Sequence, residues 1–190
     1  MICLRPFRDG PLRARRPEEI AYAIGPCPLG HVLVASGSKG IIAILIRRGA
    51  AALLPDLRAE FPKASLIRTP KVPLGRVINY VAEPFGPFPL PLDMRGTPFQ
   101  QAVWQEVQKI PAGETSSYSR IAEAIGAPKA VRAVASSCTR CRFAFAVPCH
   151  RVVGKGDAKP TDAGARRRRE WLAYETRLTT AYMSCPPVAP

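Results

Sequence analysis

A thiol followed directly by an imidazole, Cys149-His150, is the residue pair in this 190-residue chain best suited to chemistry. A cysteine is a strong nucleophile only as thiolate, and a neighbouring imidazole can take its proton directly or through a water molecule. An isolated Cys-His pair is usually accidental, with the cysteine serving as a small core residue. Here the context is more specific: the apolar run Ala144-Phe-Ala-Val147 leads in as a strand candidate, Pro148 holds the turn, and Arg151-Val152 follows. Successive side chains of a strand point to opposite faces, which makes a direct Cys149–His150 dyad of the cysteine-hydrolase kind awkward. Cys138-Thr-Arg-Cys141 has the spacing of a metal-ligand pair. A zinc site needs four ligands and no second pair lies at a suitable distance, so no metal is assigned.

The elements that must position these residues follow from periodicity and punctuation. Residues 1–19 hold Arg5, Arg8, Arg13, Arg15 and Arg16 among Pro and Gly and read as a basic flexible leader. Short apolar runs at Ile20–Ile24, His31–Ala35 and Ile41–Ile46, separated by Gly-rich turn signals, predict an antiparallel meander. Ala50–Phe61 and Leu74–Ala82 have a helical period, giving an α/β domain over 20–93. The proline-rich stretch Glu83–Asp93 forbids a helix and marks a boundary. Beyond it, Thr97-Pro98 reads as an N-cap followed by proline at the first helical position, opening a helix that ends at Pro111-Ala-Gly113. Ser119–Ile125, the turn Gly126-Ala-Pro128 and Lys129–Ser137 together form a helix-turn-helix pattern inside a mainly α domain over 94–178, with 179–190 as a tail. In the second helix Ala130, Ala133, Ala135, Ser136 and Ser137 are small, with Arg132 the long side chain among them. Such a face can approach a sugar-phosphate backbone closely and insert one arginine into a duplex. Arg166–Arg169 reads as a solvated helix face that could meet phosphates.

Composition narrows the partners. With 28 Lys+Arg against 14 Asp+Glu the formal net charge is +14 and the pI about 10.2, which favours a polyanion. The 47% apolar content is enough to bury a core. No apolar run reaches the about 18 residues of a membrane span, and no export signal is evident, so a cytoplasmic, nucleoid-associated protein with reduced thiols is expected.

Four segments carry a family resemblance: Arg95–Trp104, Ile110–Tyr118, Ile125–Val134 and Pro148-Cys-His-Arg-Val152. In order and spacing they resemble the 6-O-alkylguanine-DNA alkyltransferases, most of all the carboxy-terminal half of the bacterial adaptive-response regulators. The resemblance implies a ribonuclease-H-like amino-terminal domain and a winged helix-turn-helix. It also implies suicidal transfer of an alkyl group from 6-O-alkylguanine, and from 4-O-alkylthymine, in double-stranded DNA to Cys149 after base flipping, by a monomer without cofactor. His150 would be the water-linked base and Glu175 its orienting carboxylate. Tyr118 would press on the target phosphate, Arg132 would fill the vacated stack, and Ala130, Ala133 and Ser136 would line the DNA face. Pro148, Val152 and the loop residue Asp162 would border the base.

Three positions depart from the family pattern. Cys141-Arg142 stands where the family has Asn-Pro, and Pro160-Thr-Asp-Ala-Gly-Ala165 replaces a Gly-Tyr-x-x-Gly run, so Asp162 falls where a stacking tyrosine is expected. Glu175 lies one residue closer to Trp171 than usual, a rotation of about 100° on a helix. The altered loop 154–165 gives the second reading, a lesion-binding protein with weak or no transfer. In the family's non-transferring relatives the nucleophile position is tryptophan, so Cys149 favours the first.

Overall fold

A computed structural model describes residues 18–154 and 163–184. Strands β1 (Glu19–Cys27), β2 (Gly30–Gly37) and β3 (Gly40–Arg47) form the expected antiparallel meander. A 3-10 turn, Ala50–Ala52, and helix α1 (Leu53–Glu60) then cross to β4 (Ser65–Arg68), which lies parallel to β1, giving the order β3-β2-β1-β4. The sequence reading misses β4. Only Leu66 of its four residues is even partly buried, so an edge strand of this kind carries almost no alternation. Helix α2 (Leu74–Ala82) coincides with the expected span.

The sheet is apolar on both faces because both are covered. Ile20, Tyr22, Leu33, Ala35 and Leu45 pack with Leu53 and Leu57 of α1. Val32, Val34, Ile44 and Ile46 face α2 and the carboxy-terminal helices. Register shifts between Ala35 and Ser36: Ala35 opposes Ala43 and Ser36 opposes Ile41, so the adjacent Ile42 and Ala43 face the same side.

The outer edge of β3 organises the rest of the chain. The amide of Ile41 donates to Pro91 O (2.9 Å) and that of Asp93 to Ile41 O (2.8 Å), so the proline-rich connector lies along the edge. Gly40, at φ +143°, permits this approach, since a Cβ there would stand 2.5 Å from Pro91 O.

Helix α3 (Pro98–Gln108) opens with the expected cap: the Gln100 amide donates to Thr97 Oγ1 and the Thr97 amide to Gln100 Oε1. β5 (Ser116–Ser117), α4 (Tyr118–Ala124) and α5 (Val131–Thr139) follow, and β5 pairs in parallel with β6 (Val152–Val153). The chain closes with α6 (Ala163–Ser184). Among the described residues no helix is long and apolar enough to cross a membrane.

Three expectations are corrected. Ala144–Val147 is a buried turn and not a strand, because Phe145 takes a positive φ of 63° that an extended run cannot hold. Glu18 and Glu19, expected in the leader, belong to the folded part: Glu18 pairs with Arg95 (2.6 Å) and Glu19 starts β1. The tail does not begin at 179, since α6 runs to Ser184 with the Tyr182 ring 4.6 Å from that of Phe85.

Gly40→Ala is expected to lose about 1–3 kcal/mol of unfolding free energy, from strain at φ +143° and the clash with Pro91. Gly49→Ala, with nothing within 4 Å, should stay within about 0.5 kcal/mol. Urea denaturation of both variants checks the pair.

Candidate active site

The segment leading to Cys149 is fixed on both sides. The Ile44 amide donates to Arg142 O (2.7 Å) and the Ala144 amide to Ile44 O (3.1 Å), extending the β3 edge. Arg142 pairs with Glu60 (2.8 Å) and lies over the Phe61 ring (5.2 Å), binding this segment to the end of α1. Phe145, fully buried, turns the chain at a conformational penalty of about 1–3 kcal/mol. Its ring sits 4.7 Å from the His150 imidazole and 5.5 Å from Trp171 of α6. Gln108 at the end of α3 donates to Ala146 O (3.1 Å). Cys149–Arg151 then forms a 3-10 turn, so Cys149 and His150 are not related as neighbours on a strand.

Beneath the turn lies a buried ionic network. Glu175, completely buried, accepts from Arg151 Nε (2.8 Å) and Nη2 (2.6 Å) and stands 3.4 Å from His150 Nε2. Arg151 Nη1 also donates to Ile110 O. The one-residue spacing difference from Trp171 therefore does not rotate Glu175 away; this phase of α6 brings it onto the site. Burial by itself pushes the Glu175 carboxyl up, but the hydrogen bonds from His150 and Arg151 outweigh it and hold the group at about 2. Burial lowers His150, against the pull of Glu175, and so favours the neutral imidazole. Because a carboxylate only accepts, Nε2 carries the proton, leaving Nδ1 as an acceptor with no protein partner. A neutral imidazole with an unoccupied acceptor is the form a general base requires.

A cavity of about 130 Å³ joins Cys149 and His150 to Cys138, Cys141, Arg167, Arg168 and Trp171. The neighbouring Cys138 and Cys141 thiols, together with burial, push the Cys149 thiol well above the ordinary range. Cys138 is lowered, first by the Cys149 thiol, with burial opposing and the Arg168 charge assisting. The sequence reading missed Arg151 and the convergence of the three cysteines; Arg151 was accessible as the charged neighbour of Cys149-His150. Among the described residues no cluster of His, Cys, Asp or Glu could hold a metal. Pro148 lines a cleft with Tyr80 and Arg151, and Val152 is buried and paired with Ser116. Asp162 lies outside the described residues.

Along α5 Arg132, Ala133 and Ser136 are exposed while Val134, Ser137 and Cys138 are buried, as the helical period dictates. Ala130 caps α5, and Tyr118 begins α4, whose first turn is capped by Ser117 Oγ accepting from the Arg120 amide (3.1 Å). Cys138, on the last turn of α5, connects this face to the cavity.

The low Glu175 value sets a pH window. The folded pKa, about 2, lies below the unfolded value of 4.5, so the stabilisation is present above pH 4.5 and disappears as pH falls toward 2. Stability measured across that window should fall steeply in the wild type and with a smaller slope in Glu175→Gln; equal slopes would contradict the assignment.

Residues 98–177 match the family model described as 6-O-methylguanine DNA methyltransferase, DNA binding domain. The chain is 43% identical over 160 residues to the bifunctional transcriptional activator/DNA repair enzyme Ada of Escherichia coli (strain K12), covering 82% of this chain and 45% of that protein. It thus spans about half the length of the first curated relatives it matches, 45% and 46%. It is 36% identical over 147 residues to the constitutive methylated-DNA--protein-cysteine methyltransferase of Bacillus subtilis (strain 168), covering 76% of this chain and 87% of that one. The crystal structure of Mycobacterium tuberculosis OGT in complex with DNA superposes with a TM-score of 0.65 at 30% identity, over 84% of this chain and 94% of that one. With its fold, its Cys-His-Arg turn and these relatives in agreement, the chain belongs to the methylated-DNA--protein-cysteine methyltransferase family.

Proposed function

We propose that this protein repairs double-stranded DNA by direct reversal, with Cys149 as the acceptor. The Cys149 thiolate attacks the alkyl carbon on the exocyclic oxygen of 6-O-alkylguanine, or of 4-O-alkylthymine. The C–O bond breaks, the S–C bond forms, and the released base regains a proton. The thioether is stable, so each molecule acts once and no cofactor enters. The observation that carries this reading is His150 next to Cys149, held through Nε2 by the buried Glu175 with Nδ1 without a protein partner, as a water-linked base for the thiol requires.

Access to the base requires flipping, which costs a few kcal/mol of unstacking. The exposed face of Arg132, Ala133 and Ser136, with Ala130 at its cap, fits close approach to the backbone. Arg132 fills the gap in the stack, Tyr118 presses on the target phosphate, and the carbonyls of Cys149 and Val152 meet the base's amino edge. The strand order β3-β2-β1-β4 supports a ribonuclease-H-like domain over 20–93, and the β5–β6 ladder supports a wing in the helix-turn-helix domain from 94. The protein acts as a monomer associated with the nucleoid.

One observation favours the second reading, lesion binding with weak transfer. The neighbouring Cys138 and Cys141 thiols and burial raise Cys149 and so reduce its thiolate fraction.

Incubation with a duplex carrying one radiolabelled 6-O-methylguanine separates the two. Near-stoichiometric label on the protein, absent in Cys149→Ala, is expected, and His150→Phe should slow transfer by about 10²–10⁴-fold. Tight binding of the lesion duplex without label would establish the second reading. Arg132→Ala should lower the transfer rate more than the affinity for undamaged duplex, whereas Ala133→Glu should weaken binding to both duplexes.

A further inference from the structure

Alkyl transfer uses one thiol, yet three meet in the cavity. Cys138 sits on the last turn of α5 and Cys141 immediately follows its C-cap Arg140. Both line the same cavity of about 130 Å³ as Cys149, and all three are free thiols. A disulfide requires Cβ atoms about 3.5–4.5 Å apart with sulfurs at about 2.05 Å, and a cavity of this small volume keeps its three lining thiols within reach of that geometry through local movement. Cys141 stands in the segment that leads from α5 to the Phe145 turn.

We propose that Cys138, Cys141 and Cys149 form an oxidation site in which a hydroperoxide joins Cys149 to a neighbouring thiol as an intramolecular disulfide, reversibly withholding the nucleophile. One thiolate attacks the terminal peroxide oxygen. The O–O bond breaks, an alcohol or water leaves, and the sulfur becomes a sulfenic acid. The neighbouring thiol attacks that sulfur, its proton leaves with the departing hydroxide as water, and the S–S bond forms. Two thiols supply the two electrons that the peroxide accepts. Cys138, held below the ordinary thiol range by the Cys149 thiol and by the Arg168 charge against burial, is where the peroxide reacts first. Cys149 then resolves it, and Cys141 is placed for exchange. A dithiol restores the reduced set by thiol–disulfide exchange. The disulfide occupies Cys149 before over-oxidation to the irreversible sulfinic acid can occur.

The consequence for repair rests on the alkyl-transfer reading, whereas the bond itself does not. Full-length protein without DNA is treated with hydrogen peroxide, its remaining thiols are blocked with iodoacetamide, and unreduced peptides are mapped by mass spectrometry. The expected result is a peptide joining Cys149 to Cys138 or Cys141, released by dithiothreitol, and accumulation of Cys149 sulfinic acid at least several-fold faster in Cys138→Ser/Cys141→Ser. Cys149 sulfinic acid in the wild type without any internal cross-link overturns the proposal, as does a cross-link found only between molecules. A parallel label-transfer assay distinguishes the two readings. If the cross-link forms but reduced protein transfers no label, the repair reading fails and the oxidation site stands. If reduced protein transfers label and no cross-link forms, the reverse holds.

Discussion

A completely buried carboxylate must be paired, and Glu175 imposes that requirement on three separate parts of the chain. A buried charge that loses its partner destabilises a protein by about 3–5 kcal/mol. Glu175 is therefore compatible only with conformations in which Arg151 and His150 reach it together. That condition fixes the 3-10 turn at Cys149–Arg151 and the phase of α6, and through Arg151 and Ile110 O it also fixes the end of α3. The imidazole tautomer follows from the same pairing, so the groups that ready Cys149 for chemistry are also those that hold the helices together.

The second constraint is the edge of β3. Connector and active-site segment both use its free backbone groups, and Arg142 strengthens the attachment through Glu60 and Phe61. Where the family places Asn-Pro, this chain thus has a loop anchored on α1 and a thiol in the cavity. Phe145 reverses the chain after this attachment, and its strained backbone is retained because the ring is packed between His150 and Trp171. The β5–β6 ladder links the residues after Arg151 to the start of α4, coupling the Cys149 turn to α4 and α5.

Much of this was legible in the residues because local and global preferences agree. Thr97-Pro98, the Gly-rich turns of the meander and the period of α2 each specify their element within a few residues. Arg132, Ala133 and Ser136 share a face for the same reason. Other features are set by distant contacts. Ala144–Val147 is apolar enough for a strand, but the positive φ of Phe145 depends on rings that arrive from α6. The facing of Glu175 could not be read from its spacing to Trp171, because the partners that select the helix phase, His150 and Arg151, come from the turn 24 and 25 residues earlier. The spacing of Cys138 and Cys141 was visible, but their meeting with Cys149 required the turn between them.

The use of β3 as a template also bears on how the chain is made. During synthesis the apolar strand emerges about 100 residues before Arg142–Ala144 can pair with its edge, several seconds at about 5–20 residues per second. Throughout that interval Ile44 presents unpaired amide and carbonyl groups, the feature that recruits foreign strands. The proline-rich connector arrives first and occupies the edge at Ile41, so it covers that part of the strand until Arg142–Ala144 complete the attachment.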